Sequence, residues 1–384
     1  MDYVTRVFED PRKIDALGWD SLCAQQDAAT PFMSHAYLAA LYESGSATPK
    51  TGWKPQFVTL WQEDQLVAGC AMYLKSHSYG EYVFDWAWAN AYGEHGLAYY
   101  PKGLVAVPFT PVPGSRLLAT NSNSRVHLLK TVLEICKEQE LSSLHLLFTS
   151  PQDREACDAL GLMQRQTVQF HWRNAQFMDF DHFLSSLSHE KRKKIKQERR
   201  RVQEAGVTFQ TRVGSEITTH EWDFFYNCYE RTYLEHGNAP YLSRSFFQSM
   251  QDLMADNWVL FIAERADQPI ACSLIAIHAL GSDHAVAYGR YWGALERVDC
   301  LHFEACYYQP LRWCIDNQVS YFEGGAQGEH KMARALMPVT TYSAHWLAHP
   351  AFADAVERFL ERERSGIDNY LEHLAERSPF KHSE

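Results

Sequence analysis

The sequence predicts an α/β (α+β) fold made of two copies of one unit, with mixed sheets flanked by helices and a basic helix between the copies. Three observations carry this. The order hairpin, strand, helix, strand occurs twice along the 384 residues. The hairpins align through Gln65-Leu66-Val67-Ala68 and Gln268-Pro269-Ile270-Ala271. A chain of this length also exceeds what one hydrophobic core usually organises, so two domains are expected. The expected division is residues 1–180, a connecting basic helix at 181–210, and residues 211–384.

The elements follow in order. Residues 1–50 read as helical, with Ser34 the expected N-cap of a helix from His35 to Tyr42. Trp53 to Trp61 and Leu66 to Leu74 alternate as the first hairpin, and Tyr82 to Trp88 reads as an aromatic strand. Val126 to Lys137 has helical spacing and Leu144 to Phe148 returns as a strand. The second copy repeats this with Val259 to Ala263, Ile270 to Ile277, the aromatic strand Ala285 to Trp292, the helix Phe303 to Ile315 and the strand Val319 to Phe322. Pro310 interrupts that helix, at a cost of about 3 kcal/mol in a helix interior, so a kink is expected there. A final helix, Ala351 to Leu374, carries the apolar stripe Phe352, Val356, Phe359, Leu360 and Ile367.

Composition excludes several classes. Apolar residues make up 46% of the chain and the net charge is −11, which speaks for a globular protein without general affinity for nucleic acid. No run approaches the roughly 20 apolar residues of a membrane span, and the acidic start MDYVTRVFEDPRK does not read as a signal peptide. The nine cysteines have no Cys-x-x-Cys pair and several sit in apolar runs, so reduced core thiols and a cytoplasmic protein are expected. Eighteen histidines include no diagnostic ligand spacing, the pair His345/His349 standing alone, so no metal is expected. There is no P-loop, nucleophile elbow or strand-borne GxGxxG.

Two stretches concentrate chemistry. Ser188 to Gly206 (SHEKRKKIKQERRRVQEAG) holds eight cations with one intervening acid above a thin apolar seam of Leu184, Leu187, Ile195, Val202 and Ala205. It is either a solvated connector or an anion-binding face, with Lys191, Arg192, Lys194 and Arg199 the candidate contacts. The other is Ala287 to Lys331, where a strand ends at Gly324-Gly325 and polar residues crowd behind it, as at the carboxyl ends of strands in α/β sheets. Glu323, Glu329 and His330 are the candidate proton-transfer groups there. Arg290, Tyr291, Glu304, Gln327 and Lys331 are candidate substrate contacts, because a charge such as Arg290 in an apolar strand is costly unless paired or facing a ligand. In the first half Glu81 and Asp85 alternate onto one side of the expected strand as an acceptor-binding wall.

Taken together, HSYGEYVFDWAWANAYGEHGLAYYPK, VPFTPVPGSRLL, QFHWRN with FDHFLSSLSHEKRKKIKQERR, GRYWG, LHFEACYYQ and FEGGAQGEHKMAR resemble the bacterial FemAB-like group of predicted N-acyltransferases, also labelled peptidoglycan biosynthesis or recognition proteins. The resemblance runs from about Phe32 to Trp346. It implies two tandem GNAT-like acyltransferase domains and transfer of an acyl or aminoacyl group to an amine, on a small molecule or peptide such as a cell-wall precursor, in a cleft between the domains. It implies no tightly bound cofactor. The donor is left open between acyl-coenzyme A and aminoacyl-tRNA, with a tRNA contact placed on the basic helix. The loop GALERVDCLH (Gly293 to His302), where a coenzyme-A enzyme of this fold cradles pyrophosphate, has one glycine and two acids and fits such a donor poorly. A coenzyme-A acetyltransferase and a non-catalytic precursor-binding module are the alternatives.

Overall fold

The computed structural model describes residues 3–326 and 328–381. The chain forms two compact units, and each is interleaved in sequence. The first comprises Met1–Thr167, Tyr241–Phe246 and Thr340–Asn369; the second comprises Val168–Pro240, Phe247–Val339 and Tyr370–Glu384. This is not the expected 1–180, 181–210 and 211–384 division. The reason is a strand that returns: β15 (Met337–Leu347) pairs antiparallel with β8 (Ser143–Leu147), from Ser343 opposite Leu147 to Leu347 opposite Ser143, so the late chain completes the first unit.

In the first unit, β1 (Val4–Phe8), β3 (Phe57–Gln62), β4 (Gln65–Cys70) and β7 (Leu118–Ala119) make a small sheet. A second sheet orders β15, β8, β6 (Lys102–Val105), β5 (Met72–Lys75) and β2 (Trp53–Pro55). The hairpin expected from Trp53 to Leu74 thus divides between two sheets. Helix Ser122–Glu138, capped by Asn121, buries Leu128, Leu129, Val132 and Cys136 against Val58, Cys70, Leu144 and Leu146. In the second unit the order is β10 (Val207–Val213), β11 (Trp258–Arg265), β12 (Gln268–His278), β13 (Val286–Ala294), β14 (Tyr321–Ala326) and β9 (Met163–Arg173). The basic helix, His189–Glu204, belongs to this unit; Ser188 accepts from Lys191 N, and Ile195 and Val202 are its buried residues along with Glu198. All nine cysteines are free thiols. Among the described residues no helix is long and apolar enough to cross a membrane.

The stretch Tyr82 to Trp88 is not a strand. It turns at Gly80 and Tyr82, both with positive φ, and enters helix Trp86–Glu94. The physical cause lies beneath it. Glu81 and Asp85, read from the sequence as an exposed wall, are each 4% exposed and held by Lys102, whose Nζ donates to Glu81 Oε2 at 2.8 Å and to Asp85 Oδ2. Lys75 Nζ lies 4.0 Å from Glu81. The counterpart of β13 in this unit is therefore β6, which carries Lys102.

The same buried layer continues along the sheet face. Tyr99 donates its proton to Asp85 Oδ2 (2.7 Å), and its oxygen faces His145 Nε2 at 3.1 Å. The Ser143 hydroxyl lies 2.8 Å from the same ring nitrogen, His145 Nδ1 and His345 Nδ1 share one hydrogen bond at 2.8 Å, and His345 Nε2 meets the Ser343 hydroxyl at 2.9 Å. Both imidazoles are neutral: burial first, then Lys102, pushes His145 down to about 3, and His345 shifts the same way. Their neutral forms stabilise the fold fully above the ordinary imidazole value of 6.5, and that contribution is lost as pH falls from there toward about 3, because the unfolded chain then binds more protons. Urea unfolding followed by tryptophan fluorescence should show this acid limb, and a variant with His145→Asn and His345→Asn should flatten it.

Candidate functional site

The site grows from the end of one strand pairing. β13 and β14 run parallel, but only from Val286 opposite Tyr321 to Tyr288 opposite Glu323. Beyond that point each strand is drawn away. On β13, Leu274 faces Tyr291 while Ile275 faces Gly289, so Arg290 is the extra residue of a β-bulge against β12. On β14, Gly325 takes φ +76°, and pairing with β9 resumes at Ala326 after an irregularity. Gly324 has no room for a side chain: a Cβ there would lie 2.2 Å from Leu336 Cδ2 and 2.9 Å from Phe170 O. Between the parted strands is a cavity of about 160 Å³, lined by Ser273, Gly289, Arg290, Tyr291, Trp292, His302, Cys306, Tyr307, Phe322 and Gly324 among others.

Its roof is the helical run Leu301–Asp316. Just before Pro310 the run widens into one π turn, Glu304–Tyr308, closed by Gln309 N donating to Glu304 O, immediately before the residue that lacks an N–H. Ser273 donates to the Ala305 carbonyl beside it. The turn sends Cys306 and Tyr307 to the cavity and Glu304 and Tyr308 to the basic helix.

The turn Glu329–Arg334 follows β14. Lys331 is buried, and its Nζ donates to Gly324 O at 2.7 Å and Gly325 O at 3.3 Å, where the strands part. Burial lowers its pKa to about 8. His330 is exposed, with its ring 6.3 Å from that of Tyr307, and lies below the usual imidazole range through partial burial, then Arg334, Lys331 and Lys194. His302 contacts Trp292 and Tyr307 and is lowered by burial and then by His330, Arg334 and Lys331. Arg290 reaches the Tyr291 hydroxyl at 3.4 Å.

Other sequence candidates stand elsewhere. Phe322 and Gly324 line the cavity, so strand alternation turns Glu323 to the opposite face of β14, beside Tyr288, whose hydroxyl burial and then Glu323 push up. Glu329 is exposed and pairs with Arg377 at 2.9 Å. Glu304 is not a wall of the cavity. It is 4% exposed, bonded to Arg199 at 3.1 Å and Gln309 at 2.7 Å, and lines a separate open groove of about 580 Å³ with Lys196, Arg200 and Arg312. Arg199 is thereby engaged, Lys191 lies 3.4 Å from Glu190, Arg192 is half-buried and Lys194 is exposed. Glu81 and Asp85 are buried in the first unit, and Gln327 lies outside the described residues. Sequence reasoning did not find Ser273, Trp292, Glu198 or Arg334; only Arg290, a charge in an apolar strand, signalled the bulge. Among the described residues no group of three or more His, Cys, Asp or Glu side chains is placed to hold a metal.

The first unit has the corresponding parallel pair, β6 with β8, from Gly103 opposite Leu144 to Val105 opposite Leu146. There Arg116, 1% exposed, donates to Leu147 O at 2.8 Å and to Val112 O, tying the end of β8 to the connection after β6. Beyond the paired residues, a parallel bridge between Gly114 and Thr149 joins the two connections again.

A family model described as FemAB-like, peptidoglycan biosynthesis/recognition, matches residues 10–382. The chain belongs to the FemAB-like family. The crystal structure of FemX is 10% identical, covers 93% of this chain and 100% of its own, and superposes with a TM-score of 0.55. L-PGS from Bacillus licheniformis is 10% identical, with 92% and 99% covered and a TM-score of 0.54. At such identity these structures share the fold. A search of curated protein sequences returns no match.

The two glycines in unlike surroundings give a direct check. Gly324→Ala should destabilise the protein by about 1–3 kcal/mol, as overpacking against backbone does. Gly366→Ala, in helix Pro350–Ala375 with nothing within 4 Å, should stabilise it by about 0.5–1 kcal/mol. Thermal unfolding of the pair measures both.

Proposed function

We propose that this FemAB-like protein is an N-acyltransferase that moves an acyl or aminoacyl group onto an amine within the cavity of its second unit. The observation that carries the reading is the parting of β13 from β14 beside Lys331. An edge of β13 released from its neighbour offers main-chain N–H groups to a substrate carbonyl, and such fixed donors stabilise the oxyanion of a tetrahedral intermediate. Lys331, positively charged below pH about 8, adds to that stabilisation. His330, neutral at physiological pH because its pKa is lowered, is the group we assign to take the proton from the attacking amine. Tyr291, Trp292, Tyr307 and Phe322 shape the space for the transferred group, and its volume suits a short acyl or a single aminoacyl group rather than a long chain.

The acceptor we favour is the amine of a cell-wall precursor, in keeping with the family description. For the donor we favour aminoacyl-tRNA: the solvent face of the basic helix and the rim of Lys194, His330 and Lys331 suit an anionic carrier. A second reading, acyl-coenzyme A, draws on an open pocket beside the loop 297–299 lined by Arg201, Arg265 and Arg297, against which Glu204 and Asp299 in the same lining count.

Incubating the protein with charged tRNA, or with acyl-coenzyme A, and an amine acceptor should yield an N-acylated product detectable by mass spectrometry. Lys331→Met should lower kcat by about 10²-fold and His330→Gln by about 10²–10⁴-fold with folding intact. The rate should rise with pH as His330 loses its proton and fall above about 8 as Lys331 loses its own. Precursor binding without turnover of any donor would defeat the enzyme reading and leave a binding module.

A further inference from the structure

The basic helix carries two adjacent residues of opposite sign that point inward. Glu198 is 7% exposed, and its Oε2 accepts from Arg334 Nη2 at 2.9 Å and from the Tyr308 hydroxyl. Arg199 meets Glu304. Tyr308 and Glu304 belong to the π turn that roofs the cavity; Arg334 belongs to the turn that carries His330 and Lys331. Arg334 is 2% exposed, lies 3.6 Å over the Phe303 ring and donates from Nη1 to the His330 carbonyl at 2.7 Å. A continuous path thus runs from Glu198 through Arg334 to the peptide preceding Lys331, and from Lys331 Nζ to Gly324 O.

We propose that Glu198 is a positioning residue, holding the turn Glu329–Arg334 so that Lys331 is presented where β13 and β14 part. The inference rests on the acyltransferase reading for its purpose, but not for its geometry. A buried ion pair gains little over apolar residues of equal volume, because both charges are taken out of water. What it secures is direction: a guanidinium with one carboxylate, one carbonyl and one aromatic face has a single orientation, and the backbone it grips has one position. Without the carboxylate, Arg334 is left as a buried charge and turns toward water, drawing the His330–Lys331 peptide with it. Among the described residues, His171, His302, His330 and Cys306 are groups whose charge acts on Lys331.

The test reads Lys331 itself. Wild-type protein is labelled with fluorodinitrobenzene across a pH series and each lysine is quantified by peptide mass spectrometry. Lys331 should reach half its limiting rate near pH 8. In Glu198→Gln the midpoint should move up by about one unit or more toward the ordinary lysine value near 10.4, and labelling at pH 7.5 should fall roughly tenfold. Exposed Lys193 should not change. Tyr308→Phe removes one hydroxyl and keeps the ring, so it should fold and shift Lys331 in the same direction by less; it decides the matter should Glu198→Gln unfold. A Lys331 profile unmoved in the folded variants overturns the proposal, and so does a shift shared by every lysine, which would mean general loosening. Acylation assays on the same proteins stand apart: a shifted Lys331 in a protein that acylates nothing keeps the positioning role and discards the enzyme reading.

Discussion

The second unit depends on the place where two parallel strands stop pairing. β13 and β14 hold register for three residue pairs and then separate, because Arg290 adds a residue to one strand and Gly324 is pinned against Leu336 and the Phe170 carbonyl on the other. A sheet that loses a neighbour in its interior leaves main-chain groups without a strand partner. Such groups must be satisfied, and a substrate can do so where no strand does. The π turn above, the Lys331 ammonium at the end, and the aromatic walls are all arranged around that gap.

The comparison between the two units follows from the same constraint. Each has a hairpin, a strand, a helix and a parallel strand, yet the first spends an arginine, Arg116, on tying its strand ends together. Its polar chemistry sits on the sheet face instead, where Lys102, Asp85, Tyr99, His145 and His345 form one hydrogen-bonded chain without exposure to solvent. The two units repeat this order of elements but put their polar side chains to different uses.

The basic helix is also two things at once. Its outer face presents Lys193, Lys194, Lys196, Arg200 and Arg201 to solvent, whereas Glu198 and Arg199 bind the turns that frame the cavity. An anion approaching that helix meets a surface mechanically joined to the site.

Much of this was legible in residue order. Hydrophobic period marked the repeated hairpin, strand and helix, Ser34 and Ser188 marked two helix starts, and Gly324-Gly325 followed by Glu329, His330 and Lys331 marked where polar groups would gather, because local propensity and chain punctuation act over a few residues. Contacts across long separations were not legible. The alternation of Glu81, Val83 and Asp85 read as a strand until Lys102 drew both carboxylates inward; Glu304 read as a cleft residue until Arg199 claimed it; and the π turn before Pro310 has no signature in hydrophobic spacing. The sequence alone determined the class of fold and pointed to the stretch that lines the cavity. Which carboxylates face a ligand and which are sealed in ion pairs was decided by tertiary structure, since a buried charge is placed by the partner that meets it, and that partner lies tens to hundreds of residues away.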